Sequence, residues 1–72
     1  MEMNKNIIGE NAGKVWRALN GKHLTWNELL QETGLDEVDL ALAVGWLARE
    51  DKVSFTSDGG TLHLEVYHEN YY

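Results

Sequence analysis

Val53-Ser54-Phe55-Thr56-Ser57-Asp58-Gly59-Gly60-Thr61-Leu62-His63-Leu64-Glu65-Val66 reads as two strands joined by a turn. Val53 and Phe55 alternate with Ser54 and Thr56, and Leu62, Leu64 and Val66 alternate with His63, Glu65 and Tyr67. Side chains on a strand point to opposite faces with a period of two, so each run carries one apolar and one polar face. Asp-Gly is a preferred pair for the type I′ turn of a hairpin, which places the turn at Asp58-Gly59. That register sets Phe55 opposite Leu62, Val53 opposite Leu64 and Lys52 opposite Glu65. Apolar then meets apolar, and a cation meets an anion.

Upstream of the hairpin the period becomes helical. Asp36 reads as an N-cap, with Glu37 and Asp39 in the first turn, where carboxylates complement the helix dipole. The helix they open runs from about Glu37 to Glu50. Before it, Thr25-Trp26-Asn27-Glu28 has the form of a capping box, Leu29 and Leu30 supply a buried face, and Thr33-Gly34 stops the helix. Further back, His23-Leu24-Thr25 forms a short extended piece. Ile8, Ala12, Val15, Trp16 and Leu19 recur at three-four spacing and predict a first helix that Asn20-Gly21 ends, with Trp16 in the core. Helix, short strand, helix, tight turn, helix and hairpin follow one another in the order of an α+β winged helix-turn-helix domain. The domain is expected over 1–67, with a loose tail at 68–72.

Three stretches carry a resemblance: Gly9-Glu10-Asn11-Ala12-Gly13-Lys14-Val15-Trp16, Leu29-Leu30-Gln31-Glu32-Thr33-Gly34-Leu35, and Gly45-Trp46-Leu47-Ala48-Arg49-Glu50-Asp51-Lys52. Through them nearly the whole chain resembles a small winged helix-turn-helix domain family of uncharacterised bacterial and archaeal proteins. The resemblance implies the fold and a DNA-regulator background. It brings no substrate and no catalytic residues, and fold alone does not settle function.

Composition narrows the rest. A chain of 72 residues makes one domain near the lower size limit for folding alone, where a partner subunit often compensates for a small core. It contains no cysteine, which excludes disulfides and thiolate metal sites and fits a reducing cytoplasm. No apolar run approaches the roughly 20 residues of a membrane span. Six basic residues stand against twelve acidic ones, for a net charge of -6. Asp36, Glu37, Asp39, Glu50 and Asp51 crowd around the third helix against Arg49 alone. Nucleic-acid binders need cations against the phosphates, so DNA reading by that helix is disfavoured. The hairpin tip, Ser57-Asp58-Gly59-Gly60, has no Arg or Lys to offer a groove either. Lys14, Arg17 and Lys22 are the candidate DNA contacts if a basic patch on the first helix does that work; a solvated face is their simpler explanation.

The third helix is apolar nearly all the way round. Leu40, Val44 and Leu47 are expected in the core, which sends Val38 and Leu42 outward with Gly45 beside them, where a helix buried on one side would show polar groups. Val38, Leu42 and Trp46, with Trp26 at the rim, are therefore the candidate interface of a homodimer; packing of Leu42 beneath a loop or the tail is the alternative. An acidic surface also suits a basic protein partner. His23, His63 and His68 show no ligand spacing and read as solvent-facing, so no metal, cofactor or catalytic residue is expected. The expected protein is a cytoplasmic, non-enzymatic interaction module, with a DNA-binding regulator as the alternative.

Overall fold

A computed structural model describes residues 4–66. The tail expected at 68–72, together with Tyr67, lies outside the described residues. Helix α1 (Lys5–Leu19) opens where Asn4 accepts the Ile7 N–H at 3.0 Å, and its end passes through Asn20 into Gly21 at φ 77°. Strand β1 (His23–Thr25) leads directly into α2 (Trp26–Thr33). The capping box is present: the Glu28 N–H donates to the Thr25 hydroxyl at 3.2 Å, and the Thr25 N–H donates to the Glu28 carboxylate at 2.8 Å. Gly34, left-handed at φ 71°, closes α2. Helix α3 (Glu37–Arg49) begins with the Asp36 carboxylate accepting the Asp39 N–H at 2.8 Å. It ends in a Schellman-type turn, in which the Lys52 N–H reaches the Leu47 carbonyl at 2.9 Å. Asp51 takes the left-handed position of that turn, at φ 58°.

Strands β2 (Val53–Asp58) and β3 (Thr61–Val66) form the hairpin, and β1 pairs antiparallel with the other side of β3, giving the sheet order β1-β3-β2. The hairpin register corrects the expected one. The turn is Gly59-Gly60, Asp58 pairs with Thr61, Phe55 faces Leu64 and Val53 faces Val66. A type I′ turn needs positive φ at both central residues, which glycine adopts without a Cβ penalty. Gly59 supplies it at φ 59° and Gly60 at φ 84°. Glu65 consequently faces Ser54 and, across β1, His23, instead of Lys52. Each partner moves by two positions, so every side chain keeps its face.

The three helices pack on one face of this sheet. Ala12, Val15 and Leu19 of α1, Leu29 of α2, Leu40, Ala43, Val44 and Leu47 of α3, and Val53, Leu64 and Val66 of the sheet form the buried core. Phe55 and Leu62 continue the apolar side of the hairpin toward its tip and are exposed. Trp16 does not belong to the core and remains 36% exposed. On a helix Trp16 lies about 100° round from Val15, at the margin of the stripe. Val15 is fully buried, and Asn11, nearer the stripe's centre, is buried too. Among the described residues no helix is long and apolar enough to cross a membrane.

Candidate protein interface

Helix α3 is positioned by its inner side. Leu40, Ala43, Val44 and Leu47 bury themselves against α1 and the sheet, and this fixes what the other side presents. Val38, Leu42 and Trp46 follow at four-residue steps and stand 66%, 39% and 39% exposed. Residues four apart on a helix share a face, so the three form one apolar stripe along the axis. Gly45 lies beside them in open space: beyond its chain neighbours and its own helix backbone, no atom of the described residues comes within 4 Å of where a Cβ would sit. The expected outward residues of α3 are therefore all at the surface, and Leu42 has no described loop above it.

Trp46 closes the α1 side of the stripe. Its ring rests over Gly9, where an added Cβ would meet Cζ2 at 3.9 Å. Lys5, Asn6, Gly9 and Glu10 of α1 and Trp46 line an open depression at this edge. Trp26 is placed differently, part-buried against the core from the first position of α2.

Charge is distributed unevenly around the stripe. Asp36, Glu37 and Asp39 surround its beginning and Arg49 stands at its end. Lys14 and Arg17 are exposed on α1. Lys22 is tied to Glu32 at 3.3 Å, in the one ion pair among the described residues. The three cations considered as a patch are thus two free side chains on α1 and a third already partnered.

On the opposite face of the sheet the structure brings together two histidines that sequence spacing kept apart. The His23 and His63 rings lie 4.8 Å between centroids, and His23 Nε2 is 3.4 Å from the Thr56 hydroxyl. The β1–β3 register creates this contact, and only a prior pairing of β1 with β3 would have revealed it. His23 is exposed, as expected, but His63 is half-buried on the central strand between two neighbours, which corrects its reading as solvent-facing. Its Nδ1 is buried without a hydrogen-bond partner among the described residues. His68 lies outside those residues. No group of three or more His, Cys, Asp or Glu is placed to hold a metal ion among them.

Three helices, a three-stranded antiparallel sheet and a hairpin following α3 define a winged-helix protein. The chain belongs to the family described as "Winged helix-turn-helix domain (DUF2582)", whose model matches residues 3–66. It is similar to the Methanocaldococcus jannaschii protein named "Uncharacterized protein MJ1608", with 37% identity over 54 residues, 71% of this chain and 77% of that protein. The solution NMR structure of protein BT2368 from Bacteroides thetaiotaomicron is similar at TM-score 0.80 and 45% identity, covering 89% of this chain and 79% of that one.

Proposed function

We propose that this winged helix is a non-enzymatic regulatory module that works through protein contacts, as a homodimer joined by the outer face of α3. The observation that carries this reading is the exposed stripe of Val38, Leu42 and Trp46. Covering them stabilises a contact in proportion to the apolar area still exposed, at roughly 25 cal/mol per Å². Trp is among the residue types that most often dominate a protein interface. The acidic residues around the start of α3 also favour a protein partner over DNA, because in a winged helix that end would approach the phosphates. The same acidity suits a basic protein docking on the dimer's remaining surface.

Sedimentation equilibrium from low micromolar concentration up to about 200 µM tests the dimer. The wild-type chain is expected to approach twice its monomer mass as concentration rises, and Leu42→Asp to stay at the monomer mass. A variant that kept the dimer mass would remove α3 as the interface. Binding to duplex DNA that strengthened steeply as salt was lowered would favour the DNA-binding regulator instead, with Lys14, Arg17 and Lys22 as the first residues to replace.

A further inference from the structure

We infer that the two copies pair through α3 in antiparallel orientation, crossing beside Gly45, with Asp39 of each copy against Arg49 of the other. The inference rests on the homodimer reading above and adds its geometry. At about 100° per residue, Val38, Leu42, Gly45, Trp46 and Arg49 fall within a sector about 100° wide, and Asp39 borders it on the Trp46 side. The face that α3 turns outward is therefore apolar in the middle, with the Asp39 carboxylate at one end and the Arg49 guanidinium at the other, Glu50 and Asp51 following beyond the last helical turn. Neither Asp39 nor Arg49 makes an ion pair with any described residue.

A twofold axis perpendicular to paired helices makes them antiparallel and sets positions equidistant from it face to face. With the axis level with residue 44, Leu42 packs on the partner's Trp46, and Asp39 meets the partner's Arg49. Both contacts occur twice. A parallel pair would set Asp39 on Asp39 and Arg49 on Arg49, which costs free energy in both places. Lys5 and Glu10 beside Trp46 offset one another, and Glu50 lies past the helix end, so the stripe's own two charges decide the orientation.

Gly45 supports the same crossing. In a helix interior it is about 1 kcal/mol less favourable than Ala, and no neighbour within the described chain needs the space it leaves. Each Gly45 lies one residue, about 1.5 Å, from the axis, so the pair flanks the crossing and lets the helices approach closely, near the short end of the usual ~8–10 Å separation. A single helix pair is smaller than a standard interface of roughly 800 Å² per partner, so micromolar association is expected.

The test is sedimentation equilibrium on the full chain, with circular dichroism confirming that each variant is folded. Asp39→Arg and Arg49→Asp are each expected to weaken the dimer about tenfold, since each places like charges together twice. Mixing the two variants is expected to restore a dimer of near wild-type affinity, because each then supplies the charge the other lacks. Gly45→Leu is expected to weaken the dimer by a similar factor while leaving the helix intact. A Leu42-dependent dimer indifferent to these charge reversals would overturn the antiparallel register and leave the homodimer standing. A dimer unaffected by Leu42→Asp, or a chain monomeric up to about 200 µM, would overturn both. A full chain that stayed monomeric but dimerised without residues 67–72 would also overturn both and assign the stripe to the tail.

Discussion

The outer face of the sheet carries Ser54, Thr56, His63 and Glu65, whereas the outer face of α3 carries Val38, Leu42, Gly45 and Trp46. Both look away from the same core. The sheet is finished as a polar surface, with hydroxyls, a carboxylate and the exposed His23 ring open to water. Helix α3 has an inner and an outer side of nearly the same apolar chemistry, and among the described residues only the inner side is covered. Selection for folding the single chain accounts for Leu40, Ala43, Val44 and Leu47. It does not account for Leu42 and Trp46, and the proposed contact surface rests on that difference.

Truncating one leucine on each side of α3 gives the largest expected effect. Leu40 is fully buried, so Leu40→Ala opens a cavity and should cost about 3 kcal/mol, enough to unfold much of so small a domain. Leu42→Ala, read at submicromolar concentration where copies are separate, should change stability by no more than about 0.5 kcal/mol. Urea unfolding gives both values. Equal costs would mean that Leu42 is packed inside the chain, and the contrast between the two sides would vanish.

The hairpin turn offers the next largest effect. Gly60 is left-handed at φ 84°. Gly60→Ala forces a Cβ into that conformation and should destabilise the domain by about 1–2 kcal/mol. Asp58 is a strand residue paired with Thr61. Asp58→Ala should therefore change stability by about 0.5 kcal/mol or less. The reverse ranking in thermal melts would restore the Asp58-Gly59 turn. Loss of the capping box comes third. Thr25→Ala removes the acceptor that the Glu28 N–H uses, and by the same melts it should cost about 1 kcal/mol.

These sites also show what could be read from sequence alone. Helix ends were legible at Thr25, Gly34 and Asp36 because a cap is a local arrangement of a few consecutive residues. The hairpin and its two faces were legible, but its register was not. A shift of two positions leaves every apolar residue on the same side, so the pattern of Val53, Phe55, Leu62 and Leu64 cannot separate the two turns. Backbone φ at Gly59 and Gly60 separates them. Trp16 misled because a ring at the margin of a helical stripe satisfies the same spacing as one at its centre. The His23–His63 contact depended on a strand pairing between distant segments, which periodicity does not encode. The outward apolar side of α3 was legible for a simple reason: Leu40, Val44 and Leu47 were enough to orient the helix, and Val38 and Leu42 then had to lie opposite.

The smallest expected effect bears on the same contrast between the two sides of α3. Gly45→Ala adds one methyl group where the structure has open space. The isolated chain should gain about 0.5–1 kcal/mol from the better helix former. An inner-side position would respond otherwise, since extra volume in a packed core is itself destabilising. If the outer side is covered by a second copy, the gain should shrink as protein concentration rises, because the methyl group then separates two helices that would otherwise meet. Urea unfolding at submicromolar and at high micromolar concentration measures both conditions on the same variant. A gain that stays constant across that range would mean that nothing approaches Gly45, and the glycine would lose its part in the interface. A gain that declines would show that the space beside Leu42 and Trp46 is occupied only when another molecule is present.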